Sequence, residues 1–264
     1  MEAKENITGI ILVLSCQKHV NTRLKMFKLK QNNYENWKVI YVLGDLFLDT
    51  EYKLDNNILI VKTEDSYIHL FKKLVLSIKI LHQLYNIEQG ILRCGDDLIF
   101  NEINLVRFLN IKNKPDYLGT SPSGKSLLLP NLDELKVVRN DQFMVNYYAS
   151  HPDDFSNPQH NLEGVDIRKY ANRPAISIGA WGALFYISNY SCKVLVNKIE
   201  EIKYNVFHYD DFSNSYPYTI EDCAVSFTLF SNGIGLIHVN DFISDANTNI
   251  NIQNNVAIST NAFH

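Results

Sequence analysis

Two pairs of adjacent carboxylates carry the clearest chemical signal in the 264-residue sequence, Asp96-Asp97 and Glu221-Asp222. The first pair follows Gly95 at the end of the short apolar run Gly90 to Cys94, which reads as a strand. Ligands collect beyond the carboxyl ends of strands in open α/β sheets. A hard divalent cation held there by carboxylates, Mn²⁺ or Mg²⁺, neutralises the charge on a departing diphosphate. A Gly-Asp-Asp after a strand equally serves as a turn or caps the next helix, so a purely structural role stands beside the metal one. Glu221-Asp222 opens a helix after the loop containing Pro217, a workable position for a carboxylate that takes a proton from an attacking hydroxyl. Thr219 and Asp222 also have the T-x-x-D spacing of a capping box.

The elements that must position these residues alternate. Ile10 to Leu14 reads as a first buried strand running into polar Ser15 and Gln17, and Val20 to Lys30 has helical spacing. Lys38 to Leu43 and Ile58 to Lys62 are further strands. From Ile68 to Tyr85 the positions Leu70, Leu74, Ile78, Leu81 and Tyr85 mark a long amphipathic helix. A helix near Asn104 to Leu109 and a strand near Tyr117 to Thr120 follow. Ser121 to Pro174, rich in Pro, Asn, Asp and His, predicts loops that shape a site. Ala183 to Ile187 resumes as a strand, Tyr190 to Asn205 and Glu221 to Asn232 as helices, and Gly235 to Ile237 as strand-like. There is no internal repeat and no long linker, so the expectation is one α/β domain over 1–264.

With 46% hydrophobic and 12% aromatic residues the chain can bury a large core, which excludes disorder as the default. A net charge of -4 supplies no basic footprint, so nucleic acid is not an expected partner. Cys16, Cys94, Cys192 and Cys223 have no C-x-x-C spacing and read as reduced core thiols. Met1 to Thr8 is charged with no long apolar stretch and nothing later approaches a membrane-spanning length, so a cytoplasmic setting is expected.

Four blocks in one order resemble the β-1,3-galactosyltransferase and Fringe family of glycosyltransferases. Glu64-Asp65-Ser66-Tyr67 with Lys73 is similar to its acidic-Asp-x-Tyr helix opening with a later Lys. Ile91-Leu92-Arg93-Cys94-Gly95-Asp96-Asp97-Leu98-Ile99-Phe100 is similar to its strand bearing Lys-Thr-Asp-Asp-Asp-Val-Phe-Val. Arg173-Pro174 leading to Gly179-Ala180-Trp181-Gly182-Ala183 is similar to its Gly-rich segment, and Glu221-Asp222-Cys223-Ala224-Val225-Ser226 to its Glu-Asp-Val-x-Val-Gly helix.

The resemblance implies a GT-A fold, a Rossmann-like mixed central sheet flanked by helices, with a nucleotide-sugar half at about 8–120, an acceptor and catalytic half at about 121–245 and a tail at 246–264. It implies inverting transfer of a hexose or N-acetylhexosamine from a UDP-sugar to a hydroxyl of a glycan or glycoprotein, usually with Mn²⁺. Asp97 matches the metal-ligating Asp, Asp96 its nucleotide-sugar neighbour and Asp222 the catalytic base. Ser15, Arg23 and Lys73 fall where the family meets the nucleotide, and Glu221 and Trp181 on the acceptor side. Trp181 suits a sugar platform or plain core packing. His238 falls near a third metal ligand, with His208, beside Asp210 and Asp211, as the alternative and structural hydrogen bonding as the plainer role. His69, His151 and His160 have no cluster spacing.

Gly95 departs from the family by replacing the first Asp of its triplet. A degenerate relative that binds nucleotide-sugar or glycan without turnover is therefore the rival within the same fold. A nucleotidyltransferase or phosphohydrolase would need more carboxylates at strand ends, for which Asp45 and Asp65 are the candidates. An interaction module, with both acidic pairs as caps, is a third reading.

Overall fold

The β-branched and aliphatic run of the first strand folds as predicted, and it becomes the middle of a mixed sheet. The computed structural model describes residues 4–27, 29, 33–129, 131–210, 212–245 and 255–259. In chain order the elements are β1 (Glu5–Leu14), α1 (Arg23–Met26), β2 (Asn33–Tyr34), β3 (Trp37–Gly44), β4 (Tyr52–Asp55), β5 (Ile58–Val61), α2 (Leu70–Leu84), β6 (Tyr85–Gly95), β7 (Leu98–Phe100), α3 (Glu102–Leu109) and β8 (Tyr117–Gly119). There follow α4 (Leu132–Leu135), β9 (Val138–Asn140), α5 (Gln142–Ser150), α6 (Ile167–Tyr170), β10 (Asn172–Pro174), β11 (Leu184–Ser188), α7 (Asn189–Glu201), α8 (Glu221–Ser231), β12 (Ile237–His238), β13 (Ile243–Asp245) and β14 (Ala257–Ser259).

The main sheet has the order β12-β8-β11-β6-β1-β3-β5-β4, with β2 pairing β3. β1 runs parallel to β3 and β6, and β3 parallel to β5, while β11 is antiparallel to both β6 and β8. Side chains alternate across β1. Ile10, Leu12 and Leu14 join a core with Phe71, Leu74 and Ile78 of α2, Leu195 of α7 and Val225 of α8, whereas Ile11 and Val13 join Trp37, Phe108 and Tyr186 on the other face. Burial on both faces is why these strands read as continuous apolar runs. Each such side chain contributes about 1.5–3 kcal/mol. The fold is thus an α/β mixed sheet with helices on both faces.

Several boundaries shift. Helical structure in Val20 to Lys30 is confined to Arg23–Met26, and Lys28 and Lys30 lie outside the described residues. The long helix ends at Leu84, because Tyr85 already pairs with Glu5 at the start of β6. The edge strand β4 went unread, since its alternating Tyr52-Lys53-Leu54-Asp55 is half polar. Ser121 to Pro174 is more ordered than a set of loops: α5 and α6 pack Met144, Tyr148, Leu162 and Ile167 into a small core, and β9 pairs with β10. Of the tail at 246–264, β14 forms a three-stranded sheet with β13 and β7, and 246–254 and 260–264 lie outside the described residues. Among the described residues no helix is long and apolar enough to cross a membrane.

Candidate active site

The parallel strands end at one edge of the sheet, and there a cavity of about 910 Å³ opens, near the upper end of the roughly 300–1,000 Å³ typical of small-molecule sites. Ser15, Arg23, Lys73, Asp96, Asp97, Trp181, Glu221 and Asp222 all line it, so eight of the nine sequence-predicted site residues are brought together.

Asp96 leaves the end of β6 and turns back toward the loop after β1. Its Oδ2 accepts hydrogen bonds from Ser15 Oγ at 2.6 Å and His19 Nδ1 at 3.0 Å, and Arg23 Nη1 stands 3.6 Å from Oδ1. Burial pushes this carboxyl up, but the bonds from His19 and Ser15 and the charges of His19 and Arg23 outweigh it and hold it below its ordinary range. The bond to Asp96 in turn raises His19 to about 9, so the imidazole is cationic at neutral pH. Neither Asp caps the next helix, because Asn101 does, its side chain accepting from Asn104 N.

A second buried network fixes the neighbouring loops. Lys73, 1% exposed, donates to Asp65 Oδ1 at 2.8 Å and to the Ser15 carbonyl at 2.6 Å. Asp65 also accepts from Gly44 N and Gln17 N. Its oxygens thereby tie together the ends of β1, β3 and β5. Asp45 accepts from Phe47 N and Gln159 Nε2. Both extra strand-end carboxylates are therefore engaged in holding loops.

The second acidic pair sits at the start of α8. The capping box is not formed: Thr219 Oγ1 donates to the Tyr170 carbonyl, Ile220 is the cap position, and Asp222 Oδ1 accepts from Cys223 N next to it at 2.8 Å. Asp222 is partly buried on the cavity wall. Burial raises its pKa, the Cys223 N–H opposes this, and the charge of Asp141 adds to it. Glu221 is buried and paired with Arg93, whose Nη2 donates to Oε2 at 2.8 Å and whose Nη1 donates to the Gly182 carbonyl. Burial pushes Glu221 up to about 7 against the pull of Arg93, with the Asp222 charge adding. Its Oε1 is buried with no hydrogen-bond partner.

The two pairs meet at the entry to β11. Gly95 N donates to the Ala183 carbonyl at 3.0 Å, and a Cβ on Gly182 would lie 3.4 Å from Asp222 Oδ2. On Gly95 a Cβ would lie 2.7 Å from Asp97 Oδ1. Gly95, where the resembled family has an Asp, is thus the residue that leaves room for the Asp97 carboxylate as it stands.

His238 lies outside the cavity lining. Its Nδ1 accepts from Ser121 N, and its Nε2 stands 2.6 Å from Asn240 Oδ1, so the ring is engaged at both nitrogens. His208 is likewise absent from the lining; Asp210 orders its own loop through Ser213 and Tyr218, and Asp211 lies outside the described residues. Among the described residues no three or more His, Cys, Asp and Glu side chains are grouped to hold a metal ion. Asp97, on the cavity lining, is the carboxylate of this pair that could hold a hard cation jointly with a phosphate substrate, the sharing usual for Mg²⁺.

Other lining residues went unread. Arg93 is the one charge in the apolar run Gly90 to Cys94, a signal of a buried partner. Asp141, the cap of α5, pairs with Arg173, its Oδ2 2.8 Å from Nε without hydrogen-bond alignment. Cys16 and Cys223 are partly buried and line the cavity, Cys223 also packing against the core, whereas Cys94 and Cys192 are buried as expected. His151 and His160 also reach the cavity.

No family model matches the chain, and no curated protein matches it. Among solved structures it is similar to mouse xyloside xylosyltransferase 1 in its apo form, with a TM-score of 0.40 and 7% identity over 97% of this chain and 98% of that one.

Proposed function

We propose that the chain is an inverting glycosyltransferase that moves a hexose or N-acetylhexosamine from a UDP-sugar to a hydroxyl of a glycan or glycoprotein. The observation that carries this reading is the meeting of two acidic pairs across one short backbone segment: Gly95, next to Asp96-Asp97, bonds to Ala183, and Gly182 lies against Asp222. A single cavity therefore offers a diphosphate site and a base.

In this reading Ser15, His19 and Arg23 fix Asp96, and the cationic His19 and Arg23 favour the donor's negative charge. Asp97 would hold Mn²⁺ or Mg²⁺, which when bound neutralises charge on the leaving diphosphate. Asp222, made more basic by burial, accepts the proton of the attacking hydroxyl as its oxygen bonds to the anomeric carbon and the bond from that carbon to UDP breaks. Glu221, held by Arg93, takes an acceptor hydroxyl. Trp181 lines the same cavity while packing against the core on its other side. The whole chain would act as one domain, in the cytoplasm, and the collinear motifs favour a relative of the β-1,3-galactosyltransferase and Fringe family.

The commitment of Asp96 to three protein partners favours one second reading, a degenerate relative that binds donor without turnover. Thermal melting with UDP, Mn²⁺ and both together tests the shared part of the two readings. A joint shift larger than either alone is expected, because ligands of the native state stabilise it by mass action. No shift with the pair would sink both.

A further inference from the structure

The proposed reaction leaves an aromatic wall of the cavity unused. Phe143, Tyr147 and His151 recur every fourth residue along α5 and its end, so they form one stripe. Such a stripe is ordinarily core, but here the core of this region takes the neighbouring positions Met144 and Tyr148. Tyr147 packs partly against that core as well, but the stripe also lines the cavity, with Phe143 48% exposed and Tyr147 and His151 half-buried. Tyr67 completes it, its ring centroid 5.3 Å from Tyr147 and 6.0 Å from Phe143.

The rings are held before any ligand arrives. Tyr147 stacks on His151 at 4.3 Å and donates its hydroxyl to Asp154 Oδ2 at 3.2 Å. Polar groups border the wall at its Phe143 end, where the Asp141–Arg173 ion pair stands two residues before Phe143 in the chain. The buried Glu221 Oε1, without a hydrogen-bond partner, belongs to the same cavity. Tyr67 links wall and carboxylates: burial and then the charges of Asp222, Asp141 and Glu221 push its hydroxyl up. Flat apolar faces beside carboxylates and a guanidinium match a pyranose ring, which has an apolar C–H face and a rim of hydroxyls.

We propose that Tyr67, Phe143 and Tyr147, with Asp141, Arg173 and Glu221 at their edge, form the acceptor subsite and bind an aldopyranose ring. This rests on the transferase reading, and it assigns the acceptor's sugar ring, rather than a protein side chain, to one wall of the cavity. A nucleobase would also stack on aromatic faces. The pyranose is favoured because the wall ends at Asp141 and Glu221, beside the proposed base, whereas the cationic groups that suit a nucleotide, Lys18, His19 and Arg23, follow β1.

Saturation-transfer NMR on the full chain tests this with methyl β-D-galactopyranoside, methyl β-D-glucopyranoside and methyl β-D-xylopyranoside as probes, alongside UDP with Mn²⁺. At least one pyranoside is expected to receive saturation on its ring C–H protons. Phe143→Ala, at an exposed position, should weaken that binding, and Phe143→Ala with Tyr147→Ala should weaken it by about tenfold or more, with UDP binding unchanged. Circular dichroism checks that both variants fold. The subsite is overturned if no pyranoside binds the native chain, if the variants bind it equally well, or if they lose UDP while keeping the sugar, which would make the wall a nucleobase platform. Failure of the native chain to bind UDP counts separately, against the transferase reading, because the pyranoside signal does not depend on it.

Discussion

Replacing Glu221 by Gln isolates the energetic cost of a carboxylate in the cavity wall. Glu221 is 7% exposed. Its pKa is raised from 4.5 to about 7, by burial first, against the pull of Arg93. A folded-state value above the unfolded one means that the folded chain prefers the protonated form. Stability is therefore greatest below about pH 4.5 for this group and falls as pH rises to about 7, beyond which the loss is constant. The full shift is worth roughly 3 kcal/mol, of which about 2–3 kcal/mol falls between about pH 5 and pH 8. Gln keeps an oxygen that accepts from Arg93 but cannot ionise. Urea unfolding of both chains at those two pH values should show the native chain losing about 2–3 kcal/mol more than Glu221→Gln on going to the higher pH. Parallel losses in the two chains would refute the raised pKa, and a larger loss in the variant would reverse its sign.

Three further perturbations separate roles within the cavity. Asp222→Asn should lower transfer by about 10²–10⁴-fold while leaving UDP binding in place, measured by product formation and by calorimetry; unchanged transfer would remove Asp222 as the base. Gly95→Ala puts a Cβ 2.7 Å from the present position of Asp97 Oδ1, so the joint stabilisation by UDP and Mn²⁺ should weaken, with metal affinity lower by about 10–100-fold as for disturbed support of a ligand. Lys73→Met strips the buried Asp65 of its partner and should cost about 3–5 kcal/mol in urea unfolding with or without UDP; a loss confined to UDP affinity would instead make Lys73 a nucleotide contact.

The sequence was most readable where periodicity and burial coincide. β1, β6 and α2 are buried along whole faces, so Ile10 to Leu14, Gly90 to Cys94 and the Leu70 to Leu81 stripe announce themselves. Strand ends are readable for the same reason, which puts Asp96 and Asp97 at the carboxyl edge. What could not be read is long-range polar pairing. Ser15 and Asp96, Arg93 and Glu221, and Asp141 and Arg173 are far apart in the chain, and no local pattern says which cation meets which carboxylate. His238 shows the converse: position suggested a ligand, but two hydrogen bonds occupy its ring. The T-x-x-D motif misled because Thr219 found the Tyr170 carbonyl, a partner 49 residues away, in preference to its own helix.

The most direct test of the transferase reading is release of UDP from a panel of UDP-sugars with and without Mn²⁺, comparing the native chain with Asp97→Ala. Metal-dependent UDP release from at least one donor by the native chain, lost in Asp97→Ala, is the predicted result; a native chain that binds UDP and Mn²⁺ yet consumes no donor would contradict turnover and leave a nucleotide-sugar binder in its place.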